Sequence, residues 1–238
     1  MNRGLAMKTL RAALATSIFV IAGLVLAAVL AVGLARIYNR TGNPFVVTLM
    51  LYLPSTTTLL FIAISLIYYS SWRCGRGISV ASALRSALHS CRAVVVSAVA
   101  GLALALPSLF SYSSLAAAAW SAGTLYASLV YAIAVLYAFF YSIPRRAVEA
   151  AGKGLTGVRL ISAWLLSLLA AGVVTLPLAA FARSSQKVLV SGTLVPIVTR
   201  LMLLYTPSPL GIVVVVVWVL AASEALLLLV RIMQREKR

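Results

Sequence analysis

Glu149, Glu224 and Glu236 are the only acidic side chains in these 238 residues, His89 is the only imidazole, and there is no aspartate. A Ser–His–Asp set cannot be assembled from that stock. Neither an HExxH pair, a Ser–Lys dyad nor a glycine-rich phosphate loop stands out. Cys74 and Cys91 lie 17 residues apart without a CxxC spacing, and are expected as free thiols rather than as a disulfide or a zinc site. The residue types therefore point to a chain that is not an enzyme, with no catalytic residue, no metal site and no cofactor.

Glu224 is the one acid inside an apolar run, about 10 Å deeper than Arg231 at 1.5 Å per helical residue. A charge at the centre of a membrane helix costs at least about 2.5–3.5 kcal/mol, so such a group faces the bundle interior with a partner or a task. Two readings stay open. Glu224 could bind a proton, a cation or a cationic or hydroxylated substrate; or it could be a structural pair with Arg92 or Arg159, which begin the third and fifth apolar runs, or a carboxyl kept neutral by desolvation. A proton path needs relay groups, and His89 in a surface loop does not supply one. Arg200 either faces an outer cavity, where it would attract anions, or snorkels to outer headgroups. Pro54 followed by Ser55-Thr56-Thr57-Thr58 should break or bend its helix, with hydroxyls satisfying freed carbonyls or lining a polar path.

From Ser79 onward Val80, Leu84, Leu88, Cys91 and Val95 share one helical face, and Ser82, Arg85, Ser86, His89 and Arg92 the opposite one. Such a basic amphipathic helix would lie along a membrane surface, each cation worth about 1 kcal/mol near anionic lipid. Arg73, Arg76, Arg85, His89 and Arg92 then form a site for lipid headgroups, or equally a dock for a soluble partner. In the second basic loop Pro144 opens a helix, and Glu149 can pair with Arg145 or Arg146 as a solvated pair.

The elements that must position these groups are membrane helices. Hydrophobic residues make up 63% of the chain and charged ones 10%, with a mean hydropathy of +1.08, which no soluble surface tolerates. About 20 apolar residues cross a hydrocarbon core, and six runs qualify: 13–35, 45–71, 93–110, 115–143, 160–182 and 210–230. The first is longer than the apolar core of a secretion signal and is read as a retained anchor. The stretch 188–205 contains Pro196 and Arg200, ends at Thr206-Pro207-Ser208-Pro209, and reads as an interfacial or re-entrant segment. With six spans, fifteen of the 20 Lys and Arg fall on one side and five on the other, which predicts both termini in the cytoplasm of a plasma-membrane protein. The net charge of +17 is thus a topology signal, and no soluble basic domain exists to bind nucleic acid. Asn39-Arg40-Thr41 fits a glycosylation sequon in an outer loop.

Residues 1–238 form a single integral membrane domain with a candidate internal repeat. Tyr69-Ser70-Ser71-Trp72-Arg73-Cys74-Gly75-Arg76-Gly77-Ile78-Ser79 is echoed by Tyr141-Ser142-Ile143-Pro144-Arg145-Arg146 and, after an insertion, Gly152-Lys153-Gly154-Leu155-Thr156. Gly101…Leu106-Pro107 is echoed by Gly172…Leu176-Pro177. This pattern suits a parallel tandem repeat of a helical hairpin over 45–110 and 115–182, or two loops built alike, with Gly ending one helix and Ser or Thr capping the next. The ladders Gly23-Ala27-Ala31, Ser97-Gly101-Ala105 and Ala119-Gly123-Ala127 predict close helix packing.

The two basic loops, Gly75-Arg76-Gly77-Ile78-Ser79-Val80…Ala83-Leu84 and Ile143-Pro144…Val148-Glu149-Ala150…Gly152-Lys153-Gly154, resemble those of a broad group of prokaryotic six-helix membrane proteins. That group includes the membrane domain fused to some glycerophosphodiester phosphodiesterases. The resemblance covers about residues 45–235. It implies a membrane module without a reaction of its own, because the fused enzymes keep their chemistry in a separate soluble domain. The expectation is a non-enzymatic envelope scaffold or lipid-interacting module, partnered by membrane lipids and by itself as a homo-oligomer. The alternative is a permease subunit working with a separate ATPase. Glu149-Ala150-Ala151 invites comparison with the EAA loop of importer permeases, but the Gly that loop requires is Leu155 here.

Overall fold

A computed structural model describes the backbone of residues 3–109, 114–190 and 209–235. Among these residues the chain is entirely helical. In chain order the elements are α1 (Arg3–Thr41), α2 (Pro44–Arg73), α3 (Val80–Ser90), α4 (Arg92–Ala105) with a 3₁₀ turn over Leu106–Leu109, α5 (Ser114–Tyr137), a π-helical turn over Ala138–Ser142, α6 (Ile143–Ala150), α7 (Gly157–Val190) and α8 (Pro209–Arg235). Five helices are long and apolar enough to cross a membrane, and six if α3 and α4 together make one bent span. The protein is a multi-pass membrane bundle.

α1 and α2 form an antiparallel hairpin closed by Gly42 and Asn43. Gly42 has φ +62° and donates to the Tyr38 carbonyl at 2.7 Å. Asn43 caps α2 by accepting from the Phe45 N–H at 2.9 Å, with Pro44 supplying the first helical φ. The expected outer loop here shrinks to those two residues, so the Asn39-Arg40-Thr41 sequon lies on the last turn of α1 instead. Ala12, Thr16, Val20, Ala27, Ala31 and Ala35 recur every four or seven residues on the buried face of α1. Gly23 completes the face, since a Cβ there would collide with the Phe61 Cβ. Small residues let the two backbones close up, as membrane helices require where lipid is as apolar as leucine. Leu14, Ile18, Val25 and Val29 point outward.

α2 is the central element, packing against α1, α3, α4, α6 and α8. Of the break or bend expected at Pro54, the break is absent and the helix continues through it. Ser55 donates to the Leu51 carbonyl at 2.5 Å and Thr58 to the Pro54 carbonyl at 2.9 Å, so hydroxyls serve backbone groups beside the proline. The Tyr131 hydroxyl from α5 lies 2.7 Å from Ser55 Oγ and 2.9 Å from Thr56 Oγ1, and Tyr52 reaches Ser128 at 3.3 Å. These hydroxyls join two helices rather than line an open path. The core lies toward the end of the bundle where the basic loops gather, and includes Leu66, Ile67, Ile143, Val148, Leu160, Trp164 and Leu226. Phe139 meets Trp164 edge to face at 5.8 Å.

Three expectations about the spans change. The third apolar run is not one straight helix: α4 rises only about 21 Å over its 14 residues and reaches bilayer thickness with the 3₁₀ turn at Pro107, while α3 leaves it at a bend of 61°. The fourth run does not end at Ile143, because a single helix persists from Gly123 to Ala150 through the π turn. The fifth extends to Val190, taking in the first residues of the expected 188–205 segment; the rest of that segment, including Arg200, lies outside the described residues.

α3 is three-sided rather than two-sided. Its buried face is Ala83, Ala87 and Ser90, small residues seated on α2 and α6. Val80, Leu84 and Leu88, expected on one apolar face, are 40–49% exposed. Arg85 and His89 occupy the remaining side and are also exposed. The helix therefore shows one face to protein, one apolar face outward and one basic face.

Candidate functional site

Both basic loops close their preceding helices by the same hydrogen-bond pattern. After α2, Gly75 N–H donates to the Trp72 carbonyl at 3.0 Å and Arg76 N–H to the Ser71 carbonyl at 3.1 Å. After α6, Gly152 N–H donates to Glu149 at 2.8 Å and Lys153 N–H to Val148 at 3.0 Å. These are Schellman caps, with Gly75 at φ +79° and Gly152 at φ +76° in the left-handed region that favours glycine. Ser79, three residues past Arg76, caps α3 by accepting from Ser82 N–H at 3.2 Å. Thr156 stands at the same spacing from Lys153.

The loops touch each other. A Cβ on Gly152 would overlap the Arg76 guanidinium, so that cation lies directly over the second loop. Lys153 carries its ammonium inward, where Nζ is buried without a hydrogen-bond partner among the described residues. Its pKa is lowered by desolvation and, secondarily, by the nearby charge of Arg231.

Glu224 lies on α8 opposite the end of α2. The Arg73 Nε stands 2.7 Å from Glu224 Oε1, and the Tyr69 hydroxyl donates to the same oxygen. Glu224 is 34% exposed and Arg73 26%, while Tyr69 is buried. The expected partners Arg92 and Arg159 stand elsewhere: Arg92 begins α4 on the wall of a cleft that faces α5 and α6, and Arg159 is exposed in the first turn of α7. Geometry explains the substitution. α8 packs along α2 and α7, and Arg73 closes α2 one helical turn beyond Tyr69, which brings both onto α8 at the level of Glu224.

The helix break between α3 and α4 and the π turn between α5 and α6 meet across that cleft, whose volume is about 500 Å³. His89, Ser90, Arg92, Ala93 and Val96 line one wall; Tyr137, Tyr141, Ser142, Arg145 and Arg146 line the other. A π turn carries one more residue than an α-helical turn and re-aims the side chains beyond it, so Arg145 and Arg146 come onto the side where Tyr137 and Tyr141 already face. The Arg145 guanidinium sits 6.0 Å from the Tyr141 ring centroid. Glu149 accepts from Arg145 Nε at 2.8 Å and from Arg146 Nη1 at 3.2 Å, both pairs about 40% exposed. Such exposed pairs hold geometry more than they stabilise. Three guanidinium groups against one carboxylate leave the cleft with two positive charges before His89 is counted.

Of the five residues expected to face headgroups, the structure brings only His89 and Arg92 together in this cleft. Arg73 turns to Glu224, Arg76 lies over Gly152, and Arg85 is exposed on α3 outside the cleft. Tyr137, Tyr141, Ser142, Arg145 and Arg146 complete the cleft without having been singled out as site residues. Arg145 and Arg146 stood in the sequence as solvated partners of Glu149 and Tyr141 as part of the repeated loop signature, but nothing in the spacing shows a π turn. Cys74 and Cys91 are free, Cys91 being fully buried at the α3–α4 break. Among the described residues no three His, Cys, Asp or Glu side chains gather as metal ligands would.

The chain matches no family model, and comparison with curated proteins and with solved structures found no match.

Proposed function

We propose that the protein is a non-enzymatic envelope module that binds anionic lipid with its basic end, the end carrying both termini and facing the cytoplasm of the plasma membrane. The observation that carries this reading is the cleft in which Arg92, Arg145, Arg146 and His89 converge beside tyrosines at the edge of an apolar bundle. Guanidinium forks suit phosphate oxygens, and the inner leaflet concentrates anionic phosphate. The outward apolar side of α3, with Val80, Leu84 and Leu88 beside Arg85, suits the headgroup boundary. The Arg73–Glu224–Tyr69 cluster supports a structural role for Glu224, as each member already has a partner.

The permease-subunit reading has less support. α6, the helix that carries Glu149-Ala150, buries its apolar side in the bundle, with Ile143, Pro144, Ala147 and Val148 covered. Direct extraction into lipid nanodiscs followed by intact-complex mass spectrometry tests the proposal. A monomer or homo-oligomer retaining anionic lipid is the expected result. A stoichiometric ATPase in the complex, or retention of neutral lipid alone, overturns it.

A further inference from the structure

We infer that the cleft between the α3–α4 break and the π turn is a discrete site for the phosphate of one anionic phospholipid, with the acyl chains running down the outside of α4 and α5. This site rests on the lipid-binding reading and gives it a place in the fold. Three observations converge on this occupant.

The charge is matched to a phosphate and is not consumed internally. Arg92 has no carboxylate partner among the described residues, and Arg145 and Arg146 share the single Glu149. Tyr137, Tyr141 and Ser142 add hydroxyls to the same wall.

The polarity changes with depth, as a phospholipid's does. Arg92 and Val96 are one helical turn apart, about 6 Å, and both border the cleft. On the other wall Arg145 and Arg146 lie two turns beyond Tyr137. Below the rim the outward surface is apolar without interruption. Val96 and Val99 are 59% and 61% exposed on α4, and Ile133, Leu136 and Tyr137 are 53–59% exposed on α5. A soluble phosphate would need the basic rim alone; this apolar track beneath it favours a lipid.

The site also exists only because two helices are interrupted at one level. The 61° bend at Cys91 turns His89 and Arg92 toward the α5–α6 rod, and the π turn brings Arg145 and Arg146 to meet them. Arg85, on the same helix as His89, stays outside. The cleft therefore separates residues that an unstructured basic surface would treat alike.

The test uses the full-length protein in nanodiscs of phosphatidylcholine with a minor fraction of phosphatidic acid or phosphatidylglycerol, and counts retained anionic lipid by intact-complex mass spectrometry. Arg92→Gln and Arg146→Gln should each lower retention about tenfold, as loss of one charge-assisted phosphate contact would. Arg85→Gln, which removes a cation outside the cleft, should lower it far less. Glu149→Gln frees both guanidinium groups it holds and should raise retention, a gain that misfolding cannot imitate. Equal losses for Arg85→Gln and Arg92→Gln would overturn the cleft while leaving lipid binding by the basic end intact. If the wild type retains no anionic lipid, the proposed function itself fails. Inorganic phosphate displacing the lipid at millimolar concentration would assign the cleft to a soluble phosphate and overturn the lipid.

Discussion

The two candidate hairpins share a loop and differ in where their helices break. Gly75-Arg76 and Gly152-Lys153 close α2 and α6 with the same paired hydrogen bonds and nearly the same glycine φ. In the first hairpin α2 is continuous before the loop, and the interruption comes after it, between α3 and α4. In the second, the interruption is the π turn before the loop, and α7 is continuous after it. Local chemistry in this chain thus repeats more faithfully than helix geometry. The asymmetry is what sets the two breaks facing each other across the cleft.

The sharpest way to break the likeness is at the glycines expected to correspond. Gly101 admits the ring of Tyr52, whose Cε2 would lie 2.6 Å from an added Cβ, and Tyr52 is itself fully buried. Among the described residues a Cβ added at Gly172 would meet nothing within 4 Å. Gly101→Ala should therefore lower stability by about 1–3 kcal/mol through overpacking. Gly172→Ala should be neutral or stabilising by up to about 1 kcal/mol from helix propensity. Thermal unfolding in one detergent, followed by the near-ultraviolet signal of the tyrosines and tryptophans, compares them; equal losses would restore the symmetry.

The ion pairs come next. Glu224→Gln and Arg73→Gln should each cost about 1–2 kcal/mol, since each strands a half-buried partner, and the double substitution should cost less than the sum. Arg92→Gln and Arg159→Gln should not change stability. A loss on Arg159→Gln comparable with that on Glu224→Gln would return Glu224 to its expected partner.

A smaller effect sharpens the comparison within the loops. Gly77 has φ +58°, while its counterpart Gly154 is not left-handed. Gly77→Ala should cost about 1–2 kcal/mol and Gly154→Ala close to nothing; urea titration of helicity resolves the two. Smallest is Lys153→Met, expected to stabilise by up to about 1 kcal/mol by removing a buried, unpartnered ammonium. Because the pKa of Lys153 is lowered in the folded state, the penalty is full below the folded-state pKa and fades as pH rises from there toward the unfolded value near 10.5. The advantage of Lys153→Met should therefore shrink as pH rises toward the unfolded value near 10.5. An advantage that grows with pH would contradict the burial of that amine.

Much of the architecture was legible because membrane spans are written in hydropathy, a signal summed over about twenty residues that single side chains cannot erase. Loop chemistry was legible for the opposite reason: Gly75, Gly152 and Ser79 act through their own backbone within a turn or so of chain. Events at intermediate range could not be read. Pro54 looks like a breaker, yet hydroxyls of Ser55 and Thr58 serve its neighbourhood and the helix continues. Ala138–Ser142 holds nothing that distinguishes a π turn from an α turn, because the extra residue is set by packing against neighbouring helices. The partner of Glu224 was missed because Arg73 had been assigned to a loop, whereas it forms the last residue of α2. Val80, Leu84 and Leu88 were rightly grouped on one face. Periodicity alone cannot tell whether such a face meets protein or lipid, and Ala83 and Ala87, being small, gave a weak signal for the face that does pack.

The two-residue turn at Gly42 and Asn43 bears on how the chain is built. Because α1 and α2 are adjacent in sequence and zip together along the Ala12–Ala35 face, their pairing needs almost no loop closure and nothing from later segments. A nascent chain can insert them together, a helical pair already packed along its inner seam while translation continues. α2 then stands as a finished wall, with its remaining sides open to α3, α4, α6 and α8 in the order the ribosome supplies them.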